Sequence, residues 1–564
     1  MRIKNKIIIL CLCLASLVSC QDDLDYNEFV TYDKEQIFSS FGRTKDYVNN
    51  IYSYLDYDYG NFGGGMLASA SDEAEYAWTS SNVHDFYNGT WSPTNAKADV
   101  WNNHYAGIRA ANFFLEECAG RTFDDFKNNK EYEDEMTRFN RYQYEVRFLR
   151  AYLYFNLVKH FKDVPLVLQV VSEEEANAVA RESHAAVLDF VIAECDAIFK
   201  ELPIIRKSPF KDPFNETGRI SGMAVKALKA RVLLYYASPL YNSNNDAALW
   251  QRAALANKEV IDLSLENGIA LGKYTDIWGT DSYKTAEGIF MRRIGDLNDL
   301  EGRNFPIGVE GGRSGNCPTQ TLVDAYGMKS TGLAWDAAGS GYDANNPYAN
   351  RDPRMAMTIA KNGDIGWPAY NTNALETFVG GRNAAPLSGA TPTGYYLKKH
   401  LDGTVDLRPA SSNSKRHSWV TYRLGEFYLN YAEATYQYLG GADATNGDLT
   451  MSAREAVNII RNRTGVEMPN LVAGMSNTDF EKAYINERMV ELAFEGHRFW
   501  DVRRWKRGEL LKEITRMKIT KDNSGAITYE REKKLRLWDD KMYFFPIPDG
   551  ERRKNTNLTQ NTGW

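Results

Sequence analysis

The sequence predicts a mainly α-helical scaffold interrupted by a loop-rich lobe. Three observations predict it. RFNRYQYEVRFLRAYLYFNLVKHF (138–161) runs without Gly or Pro and with helical apolar spacing. The same aromatic and alanine-rich pattern returns at 221–240, 249–263, 422–440 and 451–465. Between these blocks, residues 272–418 are crowded with Gly, Asn, Thr and Pro, and helical periodicity fades.

The chain opens with Arg2, Lys4 and Lys6, then an apolar run over 7–18. That run is too short to span a bilayer comfortably and has the form of a signal-peptide core. Leu17-Val18-Ser19-Cys20 matches a bacterial lipobox, so Cys20 is the expected lipidation site and 1–19 the expected signal peptide. Several acyl chains on one cysteine would hold stably where a single chain holds marginally. The acidic Gln21-Asp22-Asp23-Leu24-Asp25 begins an expected tether over 20–35. No later apolar run is long enough for a transmembrane helix, which predicts a soluble body on a lipid anchor.

Within 138–161, Phe148, Ala151, Tyr152 and Phe155 fall on one helical face, and Val164-Pro165 is the expected stop. In 221–240, Ala224, Ala227, Leu228, Arg231 and Leu234 share a face, with Ser238-Pro239 as the stop. The 249–263 run supplies an amphipathic partner. Gly440 and Gly465 are the expected ends of the two later helices. Alanines within aromatic-rich helices let neighbours approach closely, the logic of tetratricopeptide-like pairs. The helical scaffold is thus expected at about 36–271 and 419–564, around a lobe at about 272–418. A loop segment of that length inside a compact protein is usually functional or disordered. Trp335, Tyr342, Tyr348, Trp367, Tyr370, Tyr395 and Tyr396 argue against disorder.

Length alone suggests about three or four domains, unless stacked helix pairs make one unit. The net charge of −7 argues against nucleic acid, whose phosphates need a basic stripe. Beyond the leader and Cys20, Cys118, Cys195 and Cys317 are far apart and odd in number, so neither a disulfide framework nor a C-x-x-C metal site is expected. The seven histidines form no H-E-x-x-H pattern, and there is no G-x-S-x-G elbow or Walker-type loop. No catalytic residue, metal or cofactor is expected.

Two constellations could still carry function. Glu487, Glu491 and Glu495 recur every four residues, among Arg488, Arg498, Asp501, Arg503 and Arg504. They could be a glycosidase acid/base pair. The stronger reading is a buried Glu/Arg network clamping two helices, broken at Gly496, because the guanidinium fork suits bidentate pairing. The other constellation is the segment 66–114, with Asp72, Glu73, Glu75, Trp78, Tyr87, Trp91, Trp101 and Tyr105 set among Ser, Asn, Thr and Gly. Aromatic faces pack on the C–H faces of sugars while Asp, Asn and Arg pair with hydroxyls, so partly exposed Trp and Tyr here suggest a carbohydrate platform. Core anchoring competes with that reading, and wins for Trp101 and Tyr105. Asp99 should stand near the positive end of the helix that carries Trp101, and Arg351-Asp352-Pro353-Arg354 should turn into a short helix. In the lobe, Trp335, Trp367 and Tyr395 are candidate ring contacts, and Arg382, after Gly380-Gly381, a candidate hydroxyl or carboxylate clamp.

NERMVELAFEGHRFWDVRRWKRGE (486–509) and FFPIPDGERRKNTNLTQNTGW (544–564) resemble the C-terminal signatures of the SusD/RagB family, which typically has Pro where this chain has Thr562. YQYEVRFLRAYLYFNLVKHFKDVPLV, DEAEYAW and WNNHYAGIRAANFFL are also similar to that family, across nearly the whole chain. The resemblance implies a single SusD-like unit over 36–564, mainly helical and non-catalytic. It implies a surface lipoprotein of the Bacteroidetes outer membrane that captures oligosaccharide or polysaccharide for a SusC-like TonB-dependent transporter. The residues projected onto the ligand are Asp72, Trp78, Trp91, Trp335, Arg382 and Tyr395. Peptide capture of the RagB kind is the alternative, and a surface glycosidase a weaker one.

Overall fold

The computed structural model describes residues 33–118, 120–205 and 218–564. The expected leader, Cys20 and most of the tether lie outside them. The fold is mainly helical with a few short sheets. Helices Ala98–Glu117, Tyr132–Phe161, His184–Ile198, Gly222–Ala237, Ala247–Glu266, Leu424–Leu439 and Ala453–Arg461 pack in that succession, each on the one before. This is the helix-pair scaffold that the alanine-rich pattern predicts.

The central helix Tyr132–Phe161 buries more than the predicted stripe. Phe148, Ala151, Tyr152 and Phe155 are buried, and so are Leu149, Leu153 and Tyr154 on its other sides, because Ala98–Glu117 and His184–Ile198 flank it. It ends before the predicted proline stop, at Lys162, which turns the chain with φ 67°. Gly440 caps Leu424–Leu439 in the left-handed region as expected. The next helix stops at Arg461, four residues before the expected Gly465. Asp352 caps helix Pro353–Thr358, with Pro353 in its first turn.

Two antiparallel pairings place the loop-rich region. Strand Gly288–Leu297 pairs with Lys415–Arg423, so the chain leaves and re-enters the scaffold through one two-stranded ribbon. Strand Ala74–Tyr76 pairs with Asn316–Pro318 and ties the Asp72–Trp91 segment to the insertion. A third pair, Glu513–Lys521 with Ile527–Leu535, is a hairpin absent from the sequence reading. Cys118, Cys195 and Cys317 are buried free thiols. Among the described residues no helix is long and apolar enough to cross a membrane.

Glu487 and Glu491 close helix Asn477–Glu491, while Glu495 lies in the turn before helix His497–Arg504. All three are buried in a charge network that reaches well beyond their own segment. Arg354 contacts Glu487 at 2.6 Å and Glu491 at 2.9 Å. Arg461 holds Glu487 at 2.8 Å, and Arg423 holds Glu495 at 2.7 Å and Glu491 at 2.8 Å. Arg463 bridges Glu491 and Glu287, and Lys399 reaches Glu495 at 2.7 Å. Burial alone would raise the Glu491 carboxyl, but Arg463, Arg423 and Arg354 hold it below its usual value. A glycosidase pair needs one protonated and one free carboxylate facing substrate. These carboxylates are enclosed and saturated by cations, so the glycosidase reading falls and the clamp reading stands.

Candidate functional site

Trp335 lines a cavity of about 550 Å³ between the inserted lobe and helix Asn477–Glu491. The helix contributes Lys482, Ile485, Asn486 and Met489, whose spacing of three, one and three puts them on one face. Asp324 and Asp336 supply carboxylates from the lobe, and Thr321 a hydroxyl. An aromatic ring, an apolar floor and several hydrogen-bonding groups thus surround one space. Its size falls in the range of about 300–1,000 Å³ usual for small-ligand pockets.

The indole is held rather than loose. The Arg531 guanidinium lies 3.7 Å from its ring centroid, and Tyr342 meets it edge-on at 5.1 Å. Arg531 is fixed in turn by Asp324, to which its Nη2 donates at 2.8 Å. Gln320 Nε2 donates to the same Asp324 oxygen at 2.7 Å, and the Tyr395 hydroxyl donates to Gln320 Oε1 at 2.5 Å. Tyr395, 0% exposed, therefore stands behind the cavity and positions Trp335 through Gln320, Asp324 and Arg531. It does not face solvent as expected.

Asp72 also differs from expectation. It lines the same cavity but is only 2% exposed, and both its oxygens accept from Arg498, at 2.8 and 2.7 Å. Its capacity is taken up by that fork. Arg498 Nη1 is buried with no hydrogen-bond partner among the described residues.

Trp91 is a core residue. It is 3% exposed and meets Phe86, Phe545 and Trp564 edge-on at 4.7, 4.8 and 5.1 Å. The expected partial exposure fails because the closing segment of the chain folds over it. Trp101 is buried against Phe161, as its core reading required.

Trp78 and Arg382 each pack on the 308–313 loop of the lobe. The half-buried Trp78 donates its Nε1–H to the Arg313 carbonyl at 2.7 Å. Gly389 lies so close to the ring that a Cβ there would come within 2.3 Å of it, and its φ of 76° also favours glycine. The exposed Arg382 pairs with Glu376 at 3.1 Å, and its carbonyl packs against Gly308. The 308–313 loop thus touches both residues. Of the six projected residues, the structure gathers Trp335 and Asp72 at the cavity, with Tyr395 behind it, and sets Trp78 and Arg382 each against this loop; Trp91 stands apart in the core. Among the described residues no group of three His, Cys, Asp or Glu side chains could hold a metal ion.

Sequence reasoning missed Asp324, Asn486 and Arg531. Arg531 and Asp324 are 207 residues apart, so no local pattern links them. The hairpin that presents Arg531 was legible in the alternation of EITRMKITKDNSGAITYEREKKL around Asp522-Asn523-Ser524-Gly525.

Two family profiles match the chain: "SusD family" over residues 286–564, and "Starch-binding associating with outer membrane" over 24–234. SusD-like protein P25 of Formosa agariphila is 22% identical over 540 residues, covering 90% of each chain. A SusD-like protein from Bacteroides fragilis superposes with a TM-score of 0.76 at 26% identity, over 94% of this chain and 99% of that one. A SusD-like carbohydrate binding protein from the same species gives a TM-score of 0.74 at 24% identity, over 93% and 100%. With both profiles matched and the fold shared along nearly the full length, this chain belongs to the SusD/RagB family of non-catalytic binding proteins.

Proposed function

We propose that this protein captures oligosaccharide or polysaccharide at the outer-membrane surface and delivers it to a SusC-like TonB-dependent transporter. The observation that carries this reading is the Trp335 cavity: a pinned indole opposite an apolar and amide-bearing helix face, with the exposed Asp336 carboxylate and the Thr321 hydroxyl beside it. A sugar ring needs this combination, a flat apolar surface for its C–H face and both donors and acceptors for its hydroxyls. The carbohydrate binding ascribed to the Bacteroides fragilis relative supports it, as does the outer-membrane association in the description of the family matched over 24–234. A lipid on Cys20 would supply the tether, and Trp78 and Arg382 would extend the contact along a longer chain.

Affinity electrophoresis on a panel of plant, bacterial and host glycans tests the proposal. One polymer should retard the protein, and Trp335→Ala should remove most of that retardation, with Trp78→Ala weakening it less. Incubation should release no new reducing ends. Silence across the panel together with enrichment of a peptide mixture would replace glycan by peptide as the cargo. Co-purification of the tagged protein from envelopes tests the transporter, which should be recovered with it.

A further inference from the structure

The helical scaffold contains a second cavity, of about 630 Å³, that shares no lining residue with the Trp335 cavity. Its mouth is exposed at Ser53, Asn61, Asn82 and Asn103. Its interior is reached by side chains from helices Tyr132–Phe161 and His497–Arg504 and from strand Lys415–Arg423.

Four interior side chains carry polar groups with no hydrogen-bond partner among the described residues. Asp58 is 5% exposed; its Oδ2 accepts from the Leu67 N–H at 2.7 Å, while Oδ1 has no partner. His160 Nδ1 lies 2.7 Å from the Asn156 carbonyl, which can only accept, so Nδ1 carries the hydrogen and Nε2 keeps a bare lone pair. Burial pushes the His160 ring down to about 3 and His497 down to about 4, so both are neutral at physiological pH. The His497 ring has no hydrogen-bond partner among the described residues and offers one donor and one acceptor. The Lys159 ammonium stands over the Phe155 and Trp500 rings, at 5.3 and 4.9 Å, with no carboxylate in direct contact.

Acceptors and donors without partners thus line one cavity. A simple anion would meet Lys159 but face Asp56, and a simple cation would meet Asp56 but face Lys159 and Arg292. A hydroxyl both gives and takes a hydrogen bond, so it suits such a wall without bringing charge. Trp419 and Trp500 add apolar ring surface. We propose that this cavity is a second binding site, for a neutral, hydroxyl-rich sugar of one or two rings. The proposal stands on these groups alone and does not depend on the reading of the Trp335 cavity.

Isothermal titration calorimetry on the detergent-solubilised full chain tests it. The probes are neutral mono- and disaccharides (glucose, galactose, mannose, xylose, maltose, cellobiose), with glucuronate and dialanine as the charged arms. At least one neutral sugar should bind saturably at one site. Asp58→Leu and His497→Phe should each weaken that binding at least tenfold, and Trp335→Ala should leave it unchanged while removing polymer retardation. The proposal is overturned if no neutral sugar binds the wild-type chain, if glucuronate or dialanine binds as tightly, or if either folded cavity variant binds like the wild type. It is overturned equally if crystals soaked in the binding sugar show that cavity holding only water.

Discussion

Two buried polar regions of this protein are built on opposite principles. In the joint between the inserted lobe and the C-terminal helices, Glu287, Glu487, Glu491 and Glu495 each touch at least one of Arg354, Arg423, Arg461, Arg463 and Lys399. In the scaffold cavity, Asp58, Lys159, His160 and His497 touch no oppositely charged partner among the described residues. Both regions are rich in charge, yet the joint's carboxylates are met by cations and the cavity's polar groups are not. Density of buried charge therefore does not tell the two regions apart, whereas the pairing of that charge does. The joint fixes how elements distant in sequence meet, whereas the cavity holds groups whose burial costs folding free energy.

The comparison breaks first at Glu491. Glu491→Ala leaves three guanidinium groups short of a counter-charge, and urea unfolding should show a loss of about 3–5 kcal/mol. A loss under about 1 kcal/mol would mean the joint is not acting as a unit.

Asp58 should behave in the opposite way. Burial pushes its carboxyl up to about 7, so the folded chain resists its ionisation. A raised carboxyl costs little below its unfolded value, and the cost grows as pH rises through the interval up to about 7. Asp58→Asn should therefore stabilise the chain by about 1–3 kcal/mol at pH 8 and by almost nothing at pH 4. The joint carboxylates have the reverse sign. The Glu491 value is depressed, so its contribution is full above the ordinary carboxylate value and is lost as pH falls through the lowered one. Acid unfolding of Glu491→Ala should accordingly be shallower than that of the wild type.

A smaller gain is expected from Lys159→Met. Burial pulls this amine down to about 7, so its cost is full below that pH and disappears as pH rises toward its ordinary value. Thermal melts should show the variant above the wild type at pH 6, with the two converging at pH 10. The smallest effect belongs to Lys127→Ala, which removes an exposed pair with Asp124 at 3.0 Å and should shift stability by less than about 0.5 kcal/mol.

The helices were legible because their information is local. Phe148, Ala151, Tyr152 and Phe155 recur at helical spacing whatever the tertiary structure, and Pro353 announces a first turn by its own geometry. Helix ends were less legible: Lys162 stops the central helix in a conformation that no residue type there signals. The site was legible by residue type and not by placement. Trp335 and Trp91 look alike in sequence, both Trp in polar, glycine-containing surroundings. Phe545 and Trp564, more than 450 residues away, enclose one, while Arg531 holds the other at a cavity wall. Asp72 was singled out as a polar ligand contact and Tyr395 as a ring contact, but Arg498 and Gln320 claim them from other parts of the chain.

The ribbon that pairs Gly288–Leu297 with Lys415–Arg423 separates two evolutionary tasks. It clasps both ends of a long excursion, so the closure entropy is met at the clasp and not by the excursion's own contacts. Lengthening that excursion twofold would add only about 0.6 kcal/mol to the closure cost. The outer loops can thus change in length and sequence while the stacked helices beneath them stay as they are.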